Sequence, residues 1–351
     1  MTEEYLTVSH LSVAMTTKED SKTPTVGKKW WAIDEFYLQM VVVVIGVVGT
    51  AGNALILYAM VVCKQHKKHV LIVNQNALDL FSSFFLVVSF SVKLCNIQLV
   101  GALGYWLCIA FISEIFVWCC LTGSVVNLAI ITIDRYLKVV HHIWSKRRIR
   151  PWVIKSAMAF AWLVGIVTNT VIVLETSGVI DGECYTWVLF KSHVERTLCM
   201  MWYVMSSYII ILVIFVYCYG QILIVVRRQA RVMSSHRAAG SSTCQTQSHQ
   251  IQTNVTKTMV FISAFYAVAW LPVTLYDVFI MVNPNLTYMS SYWYASVFVV
   301  FLYTSANPFI YATKFKPVRR ILIDMIPCKK TTVQPTASPR SGVRTGVPKR
   351  Y

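Results

Sequence analysis

Apolar residues in this chain run on in long uninterrupted stretches rather than alternating with polar ones. Seven stretches stand out, at approximately 37–63, 70–94, 107–136, 152–175, 197–226, 254–282 and 291–313. Each is long enough, as a helix, to cross a hydrocarbon layer about 30 Å thick, which takes roughly 20 residues. Short polar segments separate them, so the expected architecture is all-α: a seven-transmembrane helix bundle over 37–313. A polar segment, 1–36, precedes the first stretch and lacks a short apolar core followed by a small-residue cleavage site, so no removable signal peptide is expected. Beyond the seventh stretch, Phe315, Val318, Leu322 and Met325 recur at helical spacing opposite Lys316, Arg319 and Arg320. That pattern predicts a short amphipathic eighth helix over 314–328, lying on membrane lipid and ending at Cys328, a candidate palmitoylation site. The remaining tail, 329–351, is rich in Thr, Ser, Pro and Arg and is expected to be disordered.

Composition supports the lipid reading, with 56% hydrophobic residues, 13% charged residues and a mean hydropathy of +0.57. Soluble domains carry about 25% charged residues, which excludes an ordinary cytosolic enzyme. The net charge of +17 suits nucleic-acid binding only where a soluble basic face carries stacking aromatics or a known module. None is visible, and no nucleic-acid partner is expected. Charge placement instead sets orientation. Of the 32 Lys and Arg, 25 fall in the tail and in the loops after the first, third and fifth stretches together with the stretch ends that border them, with only Asp134 and Asp324 as acids there. By the positive-inside rule the amino terminus lies outside and the carboxyl terminus inside, as in a multi-pass plasma-membrane protein. The one acid left within the membrane is Asp79, a functional candidate by default because an intramembrane carboxylate is costly.

Several marks recur in order along the stretches: Gly52-Asn53, then Asn76-Ala77-Leu78-Asp79-Leu80, Asp134-Arg135-Tyr136, Trp162, Tyr219, Ala269-Trp270-Leu271-Pro272 and Asn307-Pro308-Phe309-Ile310-Tyr311. As a set, over roughly 37–328, they resemble the rhodopsin-like (class A) G protein-coupled receptors, nearest in pattern to the peptide (neuropeptide) and invertebrate-type orphan branches. The resemblance implies an extracellular agonist, peptide or small molecule, and a heterotrimeric G protein as partner, with receptor kinase and arrestin acting on the tail. It implies no enzymatic activity. Asp134, Arg135, Tyr136 and Ile143, with Tyr219 and Tyr311, are the implied coupling residues, and Trp270, Pro272, Asn307 and Pro308 the implied moving parts. A proline within a helix removes one backbone hydrogen bond and gives a hinge.

The same resemblance implies a polar core of Asn53, Asp79, Ser124 and Asn307 in which Asp79 holds a sodium ion, the one candidate cofactor. Tyr303 stands where the family commonly has a small amide. The alternative is a protonated Asp79 hydrogen-bonded to Asn53 and Asn307. Two further departures bear on mechanism. Gln252 stands where relatives have an acid that restrains Arg135, and no carboxylate lies from Arg227 to Tyr276, so raised basal signalling is expected. Ile211 replaces a usual proline in the fifth stretch.

Family pattern pairs Cys108 with Cys184 in a disulfide, although Cys108 lies 27 residues before Arg135, two more than is usual. Cys95–Cys199 is a possible second bridge. Asn285 opens the one outward-facing glycosylation sequon. Expected ligand-binding residues are Glu114, Val117, Trp118, Tyr203, Ser207, Trp270, Val273, Asp277, Tyr294 and Val297. Val117 occupies the place of the aspartate that pairs the ammonium in amine receptors, which disfavours a biogenic amine. No lysine lies from Ser291 to Thr313, so the retinal Schiff base of an opsin cannot form there. Outer acids, Glu114, Asp277, Glu183 and Glu195, favour a cationic peptide. A seven-helix ion transporter is the alternative from another class; it lacks support in several buried carboxylates or an internal repeat.

Overall fold

The computed structural model describes residues 26–62, 64, 66, 67, 69–236, 243–283, 291–314 and 319. The expected eighth helix, Cys328, the tail, most of the amino-terminal segment and Asn285 lie outside the described residues. Among the described residues, seven helical spans are long and apolar enough to cross a membrane. The first helix begins at Val26 rather than near Tyr37 and runs to Val62; the second is Val70–Leu94. The fourth, Pro151–Thr176, starts on a proline whose missing N–H costs nothing in a first turn. The sixth, Thr243–Val282, and seventh, Ser291–Lys314, each contain a proline, Pro272 and Pro308.

The third and fifth spans are not continuous α-helices. The third opens with a short α-helix, Gly101–Leu107, passes through a π-helical turn at Cys108–Ile112, breaks at Ser113-Glu114, and continues as Ile115–Val140. Glu114 sits at φ 59°, in the left-handed region that non-glycine residues rarely occupy. The π turn and the break take up extra residues without displacing the rest of the helix, which explains the long Cys108–Arg135 spacing. The fifth span joins His193–Val204 to Ile210–His236 through a second π turn at Met205–Ile209. This π turn forms although Ile211, two residues past its end, stands where a proline is usual.

Between the fourth and fifth spans a hairpin pairs β1, Gly178–Ile180, with β2, Glu183–Tyr185, in antiparallel register. Its turn is Asp181-Gly182, both at positive φ, the dipeptide that a tight hairpin turn demands. Cys184 on β2 is disulfide-bonded to Cys108 in the π turn. Cys95 and Cys199 are both free thiols, so the possible second bridge is not formed.

Small residues let the spans approach closely, as in lipid, where close packing replaces the hydrophobic drive between helices. A Cβ on Gly165 would lie 2.2 Å from the Cys119 carbonyl oxygen and 2.9 Å from the Gly123 nitrogen, so the third and fourth spans touch backbone to backbone. Gly52 makes room for the Pro308 ring in the same way. The interior is apolar and aromatic, with Leu78, Leu121, Leu128, Tyr266, Trp270, Tyr303 and Tyr311 fully buried. Val44, Val47, Phe160, Val213, Val216 and Val268 face outward and are exposed, as lipid-facing side chains must be.

Candidate functional site

A buried file of hydrogen bonds runs across the second, third and fourth spans. It starts at Trp162, whose indole N–H can only donate, and which donates to Asn74 Oδ1 at 3.0 Å. That contact fixes the orientation of every amide that follows. Asn74 Nδ2 donates to Asn127 Oδ1 at 2.9 Å, and Asn127 Nδ2 donates to Gln75 Oε1 at 2.8 Å and to the Leu71 carbonyl at 3.1 Å. Gln75 Nε2 must then face Ser124, to which it donates, and Asp79 Oδ1, 3.4 Å away. Ser124 Oγ donates to Asp79 Oδ1 at 2.7 Å, and Asn307 Nδ2 reaches Asp79 Oδ2 at 2.8 Å. Asn53, expected beside Asp79, instead donates to the Gly49 carbonyl of its own helix at 3.0 Å. An oxygen one turn back is within its short reach, and the place at Asp79 is filled by Gln75.

An aromatic block gathers around Tyr266, with Trp270 5.6 Å, Phe215 5.7 Å and Tyr303 6.0 Å away, ring centre to ring centre. Two tyrosines cross-tie the fifth and sixth spans. Tyr266 donates to the Ser207 carbonyl inside the π turn, and Tyr208 donates to the Ala267 carbonyl at 2.9 Å. A π turn leaves carbonyls without their usual intrahelical partners, and Tyr266 satisfies one of them. Toward the Arg135 end, the Tyr219 hydroxyl sits 2.9 Å from Thr132 Oγ1 and 3.1 Å from Ser263 Oγ. Asp134 is engaged by Lys138 at 2.8 Å, whereas Arg135 Nε stands 3.8 Å from the same carboxylate and has no hydrogen bond among the described residues. Tyr136 turns outward to His141 and Tyr217, and Ile143 projects into the surroundings with 74% of its surface exposed.

At the hairpin end two cavities adjoin. The deeper, about 50 Å³, collects the expected residues Trp118, Tyr203, Trp270, Val273 and Asp277, together with Trp187 and Trp293. The outer, about 800 Å³, takes in Glu114, Tyr294 and Val297 and shares Trp118, Trp187 and Trp293 with the first. Lys93 and Glu114 form an ion pair on its wall. Val117 and Ser207 line neither cavity: Val117 is buried in the helix core, and the Ser207 hydroxyl turns back to the Tyr203 carbonyl of its own helix. Trp187 reaches the cavities because the disulfide holds its hairpin over the bundle, where its indole N–H donates to the Ser113 carbonyl at 3.4 Å.

The family described as 7 transmembrane receptor (rhodopsin family) matches residues 52–311, well over half of the chain. The chain belongs to this family. The receptor is 27% identical to Melanopsin-A of Gadus morhua over 301 residues, 81% of its own length and 51% of that protein's. It is 24% identical to cannabinoid receptor 1 of Xenopus laevis over 226 residues, 61% of its own length and 47% of that protein's. It thus spans about half the length of the curated relatives it matches. The crystal structure of squid rhodopsin shares its fold, with a TM-score of 0.68, 14% sequence identity and 88% of each chain covered. The receptor is a multi-pass membrane protein, and its family is one of receptors rather than enzymes.

Gln75 takes up part of the place beside Asp79 that the expected sodium ion would need, while the Asn53 and Asn307 amide oxygens stay without a hydrogen bond among the described residues. A hard cation needs oxygen lone pairs turned toward it. Here three donors converge on the Asp79 carboxylate, from Ser124, Asn307 and Gln75, and the Ser124 lone pair is itself taken by Gln75. Gln75, Asn127, Asn74, Lys138 and Tyr266 all went unread in the sequence. Two of them carried a legible signal, since Gln75 and Lys138 each lie four residues from a singled-out acid, Asp79 and Asp134, and so share its helix face.

Proposed function

We propose that this receptor binds an extracellular ligand, with a peptide favoured, in the cleft at the hairpin end, and that binding opens the bundle at the Arg135 end to activate a heterotrimeric G protein. In this reading the hairpin end faces outward from the plasma membrane and the basic loops face the cytoplasm. The observation that carries it is the cleft itself. Its volume of about 800 Å³ is near the top of the 300–1,000 Å³ range of ligand sites. Its wall mixes Phe90, Phe298 and Phe301 with Asn96, Glu183 and Thr186, apolar surface for side chains beside polar groups for a peptide backbone. Agonist acts by binding the open state better than the closed one. Receptor kinase and arrestin would act at the inner face, and a small non-amine agonist is the second form of the same reading.

The Melanopsin-A likeness invites a light-receptor reading, which the seventh helix does not favour. Its one lysine, Lys314, is its last residue and lies over the Phe261 ring, at the opposite end from Trp293, Tyr294 and Val297 in the cleft. A retinal aldehyde there would lack its usual amine. The test is G-protein dissociation in cells expressing the receptor and challenged with peptide pools. Responses lost in Arg135→Ala support the reading, whereas a response to retinal and light alone, with none to peptide, overturns it.

A further inference from the structure

Resting on that reading, the geometry points to an alkylammonium group as the part of the ligand that enters the deeper cavity, with Asp277 as its counter-ion. Asp277 is 5% exposed, and no hydrogen bond or ion pair among the described residues reaches its carboxylate. A carboxylate taken out of water without a partner is among the costliest groups to bury. The other outer acids are differently placed. Glu114 is engaged by Lys93, Glu175 by Lys191, and Glu195 accepts from the Lys191 backbone N–H, while Glu183 lies exposed on the hairpin.

The cavity around Asp277 is built for a cation. Trp118, Trp187, Trp270 and Trp293 all line it, and among the described residues no basic side chain does. Indole faces attract an ammonium through their negative quadrupole, most strongly where water is excluded. Its volume of about 50 Å³ compares with roughly 10–15 Å³ for one water on the same measure. It therefore admits a nitrogen and a short alkyl stem, and the body of the ligand must remain in the outer cleft, past the three shared tryptophans. Val117 leaves the third span without an acid at the usual amine position; Asp277 supplies that charge from the sixth span. The group can come from the free amino terminus of a peptide or from a free alkylamine.

The purified full-length receptor tests this through thermal unfolding, with no G protein in the assay, so that a failure to couple leaves the result intact. Hexylammonium chloride should raise Tm by a few degrees, while hexanol at the same concentration should not. Asp277→Asn should lose that shift, and Glu175→Gln, an exposed acid at the same end, should keep it. An equal shift with hexanol, or a shift retained in Asp277→Asn, overturns the proposal. If Asp277→Asn does not fold, the contrast between hexylammonium and hexanol on the wild-type receptor decides alone. A tetrapeptide library without Lys or Arg, used with free and with acetylated amino termini, separates the sources. A shift from the free form only assigns the ammonium to a peptide, and a shift from hexylammonium with neither library assigns it to a free amine.

Discussion

Replacing Tyr266 with phenylalanine removes one hydroxyl from the fully buried ring at the centre of the aromatic block and leaves the ring contacts in place. The lost bond runs to the Ser207 carbonyl in the π turn of the fifth span, across the seam that must part if the sixth span swings outward about Pro272. A bond made only in the closed state stabilises that state alone. Interhelical hydrogen bonds in membrane bundles average about 0.6 kcal/mol, and hydrogen bonds in proteins generally about 1 kcal/mol. With 1.4 kcal/mol per tenfold, Tyr266→Phe should raise the open-to-closed ratio about three- to fivefold. The orphaned Ser207 carbonyl pushes the cost of the closed state toward the upper figure. Agonist-free second-messenger output, measured at matched surface expression, should rise by a comparable factor while that output is small, and Tm of the purified receptor should fall. Tyr208→Phe, which removes the neighbouring bond to Ala267, should act in the same direction. Unchanged basal output together with unchanged Tm in Tyr266→Phe would refute the claim that this tie restrains the closed state.

Further substitutions probe other contacts. Lys138→Ala frees the Asp134 carboxylate to engage Arg135, so basal signalling should fall, by about twofold for a half-exposed pair worth roughly 0.3–0.5 kcal/mol; a rise would show that Lys138 does not compete. For the wild-type receptor, exchanging sodium chloride for N-methylglucamine chloride should leave Tm unchanged, because Gln75 already occupies the face of Asp79, and Gln75→Ala should acquire sodium dependence. A sodium-dependent wild type would contradict the assignment. Gly165→Ala places a methyl group 2.2 Å from a carbonyl oxygen of the third span, and since backbone cannot rotate away, the yield of folded receptor on gel filtration should drop sharply, whereas normal yield would disprove the close approach.

Long apolar stretches made the seven spans legible, because lipid leaves a helix no other way to satisfy its backbone. Hydropathy does not carry the irregular turns. The π turns at Cys108–Ile112 and Met205–Ile209 consist of ordinary apolar and small residues, and only the long Cys108–Arg135 spacing hinted at the first. The Asp181-Gly182 dipeptide marks a hairpin turn, but the strands on either side are three residues each, too short to show an alternating pattern. In the site, Asp79 stands out in the sequence as an intramembrane carboxylate and Ser124 and Asn307 through family likeness, and the structure gathers them with Gln75 rather than Asn53. The hydrogen-bonded file from Trp162 to Asp79 joins three spans, and nothing in one span's sequence says which amide on another will face it. Val117 and Ser207 shared the stripe expected of ligand contacts, but helical phase alone does not separate a residue facing a cavity from one facing a neighbouring helix.

Coupling through Arg135 is the central claim, and guanine-nucleotide exchange on purified heterotrimeric G protein by the reconstituted receptor, without agonist, tests it most directly. The loosely held arginine, 3.8 Å from an acid that Lys138 has already engaged, predicts exchange above the receptor-free rate for the wild type and none above it for Arg135→Ala. Equal exchange by both proteins would contradict the account.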